Sequence, residues 1–184
     1  PKFLNLKKLF LGILLLFITV GLSQQSNTIN ATIDPEKGAV KVNQIVTFTN
    51  HTNKALNSLY LYDWNHAYSD NSTLLSKKLS EEFNFKFERS SSNEKGKTSI
   101  HQILSNQKLL KWHRLKKQID IIVVDLIQHL LPGASQDILI SYTLQLPSSN
   151  FTGYGIDSNQ NISFRSGFLQ LSLIHISEPT RRYE

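Results

Sequence analysis

A mainly β fold, an antiparallel β-sandwich or saddle with one short helix behind a signal peptide, is what the sequence predicts. Three observations predict it. Apolar residues recur at every second position over most of the chain, the spacing of strands with one buried face. Turn-forming clusters such as Pro35-Glu36-Lys37-Gly38 and Leu131-Pro132-Gly133 punctuate these runs, which is where hairpins reverse. A single stretch after Asn71 changes to helical spacing. The 184 residues, 40% of them hydrophobic and 10% aromatic, suffice for one packed domain plus an addressing segment and are too few for two separate cores.

The elements follow in order. Lys2, Lys7 and Lys8 precede an apolar run from Leu9 to Leu22, which ends in the small residues Gly21 and Ser23. Basic start, apolar middle and small-residue exit make a secretory signal peptide over 1–23, with cleavage between Ser23 and Gln24. As a helix the apolar run would rise about 21 Å, short of the roughly 30 Å hydrocarbon core that a permanent anchor must cross. The product is therefore expected to be exported, periplasmic or secreted, and to meet the membrane only in transit. Pro1 stands where translation would place Met, so the numbering is expected to begin after a trimmed initiator or inside a longer sequence.

From Thr28, Ile29, Ala31 and Ile33 alternate with polar residues, and after the Pro35–Gly38 turn Val40, Val42, Val46 and Phe48 point one way while Lys41, Thr47 and Thr49 point the other. This reads as a hairpin with a buried and a wet face. Leu56 to Tyr62 is a third strand. Asn71 or Ser72 can cap a helix starting at Thr73, with Leu74, Leu75, Leu79 and Phe83 on one side. Ser90 to Lys97 is a polar loop. Strands resume at Ile100–Leu104, Leu109–Arg114, the β-branched Ile119–Asp125, and Ile138–Leu146, giving about eight strands in all.

Composition removes several function classes. With no cysteine, disulfides, thiolate zinc sites, cysteine nucleophiles and a lipidated cysteine anchor are excluded. The net charge is +6, and the three lysines of the signal peptide supply half of it, so the remaining excess does not argue for a nucleic-acid partner. The densest basic cluster, Lys108 to Lys117 with Trp112 inside it, reads as a solvated strand face with charged turns. Five glycosylation sequons, at Asn30, Asn50, Asn71, Asn150 and Asn161, are expected on surface loops and strand edges.

Local chemistry is sparse. None of the six histidines begins His-Glu-x-x-His or sits four residues from another on a helix, so no zinc pair forms locally. His66 beside Asp63 and Asp70 offers a loose metal reading, outweighed by a solvated loop. Glu81 and Glu82 are adjacent on a helix and point apart, a poor acid/base pair. Gly153-Tyr154-Gly155 reads as a turn. Tyr60, Tyr62, Trp64 and Tyr68 admit a sugar-stacking platform, against the commoner reading of core packing. No catalytic, cofactor-binding or metal residue is assigned within the chain.

Three stretches together resemble the N-terminal domain of zinc aminopeptidases of the aminopeptidase N and leukotriene A hydrolase type, in a secreted, flavobacterial-like form. They are Val46-Thr-Phe-Thr-Asn50 with Leu56-Asn-Ser-Leu-Tyr-Leu-Tyr62; Asn65-His-Ala-Tyr-Ser-Asp70 with Thr73-Leu-Leu; and Leu131-Pro-Gly-Ala-Ser135 with Ile138–Leu146, Pro147 and Phe151-Thr-Gly-Tyr-Gly155. The resemblance implies that 24–170 is a partial, saddle-like β-domain without catalytic residues. It further implies that the parent hydrolyses peptides at a zinc ion held by a His-Glu-x-x-His helix and a distant Glu, beside a Gly-x-Met-Glu-Asn strand. Neither motif occurs here. The expected partners are that missing catalytic domain and, for the parent, peptide substrates. The alternative is an exported sandwich binding glycans or a surface partner through its Tyr/Trp loops. Residues 171–184, Leu171 to Glu184, resemble translated sequencing-adapter read-through and are expected to be non-biological.

Overall fold

The computed structural model describes residues 26–164 and 167–172. The signal peptide, its cleavage point at Ser23 and Gln24, and residues 173–184 lie outside the described residues.

The described residues fold mainly as antiparallel β-structure, with one α-helix among them. Its strands run β1 (Ser26–Asp34), β2 (Ala39–Thr49), β3 (Leu56–Tyr62), β4 (Lys97–Ser105), β5 (Lys108–Leu109), β6 (Trp112–Leu115), β7 (Gln118–Leu130), β8 (Ser135–Gln145), β9 (Gly155–Ile156), β10 (Ile162–Ser163) and β11 (Gln170–Leu171), with helix α1 (Leu74–Glu81) between β3 and β4. One sheet has the order β1-β2-β8-β4-β5, the second β11-β3-β7-β6, and β9 and β10 form a small ribbon. The fold is sandwich-like, because the inward side chains of both larger sheets share one core. Val40, Val42, Val46 and Phe48 of β2, Ile138, Ile140, Tyr142 and Leu144 of β8, Leu59 and Leu61 of β3, and Ile122 and Val124 of β7 all belong to it. Each such side chain contributes about 1.5–3 kcal/mol relative to exposure.

The β1–β2 hairpin has the predicted turn, with Gly38 at φ +57° and a continuous register from Ser26–Thr47 to Asp34–Ala39. Two side-chain assignments in it change. Gln44, which the alternation leaves unassigned, is fully buried in the core. The apolar face of β1, expected inside, is largely outside: Ile29 is half-buried, Ala31 exposed, and Ile33 is 50% exposed. Among the described residues β1 pairs with β2 alone, at the rim of its sheet, where Ile29 still packs against the core and Ile33 does not.

The expected strand Leu109–Arg114 is two strands in two sheets. After the β4–β5 turn, where Asn106 and Gln107 take positive φ, β5 ends at Leu109, and the chain crosses so that β6 pairs with β7. In α1, Thr73 rather than Asn71 or Ser72 is the cap, its hydroxyl accepting from the Ser76 N–H at 3.2 Å. Phe83 does not join the buried side. It follows the helix at φ +60°, its N–H bonding the Ser80 carbonyl and the Asn84 N–H the Leu79 carbonyl, and it is 84% exposed. That is a left-handed C-terminal cap with phenylalanine where glycine is favoured.

The polar loop 90–97 contains a short helical turn, Ser92–Glu94, closed by reciprocal bonds between Ser91 and Glu94, and Lys97 already begins β4. Gly155, at φ +120°, is required by a close approach, since a Cβ there would lie 1.9 Å from the Pro147 carbonyl oxygen. Gln170 and Leu171 pair with Tyr62 and Leu61 of β3, so the expected boundary at 170/171 falls inside β11.

Candidate functional site

Two features concentrate chemistry near the start of α1. The first is a buried polar network where β3, β4, β6 and β8 meet. β3 ends at Tyr62, and the next residue, Asp63, has no exposed surface. Its Oδ2 accepts from Arg114 Nη2 at 2.7 Å, its Oδ1 from the Thr98 hydroxyl at 2.7 Å and from the His66 N–H at 3.1 Å. Arg114 Nη1 donates in turn to the Ile119 carbonyl. Asn65 donates to Thr98 Oγ1 and to the Gln145 carbonyl, and accepts from the Tyr154 hydroxyl at 3.0 Å. Such a carboxylate tolerates burial because every oxygen is met by a donor.

Most of Lys108–Lys117 is the exposed face expected, with Lys108, Lys111, His113, Lys116 and Lys117 in solvent, and Arg114 departs from it. It lies opposite Ile122 in the β6–β7 register, on the inward side, and its side chain is only 16% exposed. Arg114 shares its strand face with Trp112, which is 37% exposed, so alternation alone gives no sign that Arg114 lies inside.

The solvated-loop reading of His66 is also corrected. Residues Asn65–Tyr68 form a 3₁₀ turn, and His66 Nδ1 accepts from the Thr98 N–H at 3.3 Å. Burial first, and the nearby Arg114 cation second, push its pKa down to about 4. With Nδ1 and both Asp63 oxygens engaged, His66, Asp63 and Asp70 do not compose a metal site. Among the described residues no group of three His, Asp or Glu is placed to hold one. Glu81 closes α1 and Glu82 caps it, both exposed.

The second feature is a cleft of about 510 Å³ between α1 and the outer face of the β3–β7 sheet. Tyr62 and Ile121 are paired across β3 and β7 and form its floor. Trp64, Ala67, Leu74 and Leu75 line its apolar sides, and Lys78, Gln118, Asp120 and Ser172 complete the lining. The Tyr62 and Trp64 rings lie 6.0 Å apart and tilted. Burial, with the Asp120 carboxylate next, pushes the Tyr62 pKa up to about 12, so its hydroxyl stays protonated. The expected aromatic quartet therefore divides. Tyr62 and Trp64 reach the cleft, whereas Tyr68 is fully buried behind Trp64, edge-on at 5.6 Å, with its hydroxyl 2.6 Å from Thr152 Oγ1. The half-buried Tyr60 sits opposite Val123 and outside the cleft lining. His66 lies outside that lining too. The cleft thus offers an aromatic and aliphatic floor with opposite charges among its lining residues, which suits holding an apolar or ring-shaped group.

The sequons divide as well. Asn30 is exposed on β1, and Asn71, Asn150 and Asn161 are exposed. Asn50 is fully buried, its amide donating to the carbonyls of Lys54 and Leu130 at 2.8 Å, and is no surface acceptor in the folded protein. Of Gly153-Tyr154-Gly155, the glycines turn the chain while Tyr154 is buried.

No protein-family model matches this chain, and no curated protein matches it.

Proposed function

We propose that this β-sandwich is a non-catalytic support domain of an exported zinc metallopeptidase of the aminopeptidase type, whose metal centre is carried by sequence outside this chain. The observation that carries the reading is the hydrogen-bonded union of the three stretches that resemble that family. Asn50 of the first bonds the 130–134 turn of the third: its N–H reaches the Ala134 carbonyl, and the Gly133 N–H reaches its own carbonyl. Asn65 and Tyr68 of the second bond Gln145, Tyr154 and Thr152 of the third. Residues shared for framework reasons would behave this way, holding a slab against which a catalytic domain packs. Reading the natural gene contiguous with the codons for 24–170 tests it. A downstream His-Glu-x-x-His with a Gly-x-Met-Glu-Asn strand is expected, and a continuation lacking both overturns the proposal.

The cleft favours a second reading, an exported module that binds glycans or a surface partner through Tyr62 and Trp64. Quenching or shift of tryptophan fluorescence by oligosaccharides, lost in Trp64→Ala with an unchanged circular-dichroism spectrum, supports it. Absence of any response across a glycan panel rejects it.

A further inference from the structure

We propose that β1 is a self-association edge, to which the β1 strand of a second copy adds antiparallel, joining two five-stranded sheets into one. This goes beyond the proposed function and does not depend on it.

The molecule treats its sheet edges very differently. An open strand edge is a template for pairing, and proteins blunt it by shortness, lysine or proline, a bulge or a cover. β5, at the far edge of the same sheet, has two residues and begins with Lys108, and β11 also has two. β6 has four, with its arginine turned inward to Asp63. β1 has nine, Ser-Asn-Thr-Ile-Asn-Ala-Thr-Ile-Asp. It contains no lysine, arginine, glutamate, proline or glycine, and its pairing with β2 runs without a bulge. Among the described residues this long regular edge carries none of the usual protection.

Its sequence is also complementary to itself. Centring an antiparallel pair on Asn30 overlaps all nine residues, with Asn30 facing the partner's Asn30 and Thr28 facing the partner's Thr32. On the other face Ile29 meets the partner's Ala31, and Asn27 meets the partner's Ile33. Thr–Thr and aliphatic pairs of this kind stabilise antiparallel strands. No like charges meet. The single acid, Asp34, falls opposite the partner's Ser26 and is already held by Lys37 at 2.8 Å. Ile29, which the second sheet leaves partly uncovered, gains an aliphatic neighbour in the partner's Ala31. The closed two-fold geometry makes a dimer rather than a fibre.

Sedimentation velocity on the chain over a concentration series tests this. A concentration-dependent species of twice the chain mass is expected. Asn30→Lys places two ammonium groups across the two-fold axis and should weaken dimerisation by about tenfold or more, while Asn30→Thr should leave it intact. Register is tested by charge exchange. Thr28→Lys/Thr32→Lys and Thr28→Glu/Thr32→Glu should each be monomeric alone and should form a mixed dimer when combined. Matched circular-dichroism spectra and melting midpoints confirm that each variant is folded. A wild-type chain that stays monomeric at the highest concentration reached overturns the proposal. So does a dimer indifferent to Asn30→Lys, or a charged pair that fails to recombine.

Discussion

Asp63 and Arg114 approach to 2.7 Å where four strands converge, and Asp34 and Lys37 to 2.8 Å across a hairpin turn. The contacts are nearly alike in length and chemistry, but the Asp63 side chain is wholly buried, whereas those of Asp34 and Lys37 are 40% and 77% exposed. At the turn, water solvates both charges whether or not they meet, so the pair adds little. At the strand junction each charge is the other's substitute for solvent, and removing one strands its partner. The difference teaches that the same contact holds the fold only where burial has removed the solvent that would otherwise replace either partner.

The largest expected effect follows directly. Arg114→Met should lower stability by about 3–5 kcal/mol, because it leaves the Asp63 carboxylate buried and unpaired. Urea denaturation measures it. If the midpoint barely moved, the buried and exposed pairs would be equivalent and the contrast would fail. The paired change Asp63→Asn with Arg114→Met should recover part of the loss, since it removes the orphaned charge.

Gln44 extends the test into the core. Its amide donates to the Leu169 carbonyl at 2.7 Å and to Asn27, and its oxygen accepts from the Tyr142 hydroxyl at 2.6 Å. Gln44→Leu should cost about 1–3 kcal/mol by leaving buried groups without partners, seen as a lower melting temperature by calorimetry.

His66 gives the strand junction a pH signature. Its folded pKa of about 4 lies below the free value of 6.5, so the unfolded chain binds the extra proton first. Stability is then complete above about pH 6.5 and falls as pH drops towards 4. His66→Gln should flatten the slope of unfolding free energy in that window, measured by urea titrations at stepped pH. The smallest expected effect belongs to the turn, where Asp34→Asn should leave the urea midpoint unchanged within error. A clear loss there would show that the exposed pair matters after all.

Much of this architecture was legible in the sequence. Alternation locates β2 and β8, and the expected bounds of β3, Leu56–Tyr62, are those observed, although its period two is broken by a bulge between Leu56 and Ser58. The β1–β2 turn and the Leu131-Pro132-Gly133 turn were equally plain, since their chemistry is local. What escaped depends on which strand stands opposite. Nothing in Ile29 or Ile33 says that β1 is a rim strand with little above it. Nothing in Gln44 says that the Tyr142 hydroxyl and the Leu169 carbonyl await it. Nothing between Leu109 and Trp112 says that the chain changes sheets. Of the cleft, the aromatic residues were visible, but only the three-dimensional arrangement separates Tyr62 and Trp64 from the buried Tyr68.

The burial of Asn50 has a practical consequence for producing the protein. Oligosaccharide is transferred to Asn-x-Thr while a nascent chain is still open, before a folded interior can hide the acceptor. In a eukaryotic secretory host, a glycan attached at this asparagine would occupy the volume that the 130–134 turn must fill. Such a host would yield two populations, an unmodified one able to close and a decorated one held apart at that joint. A bacterial host lacking the transferase would yield only the first.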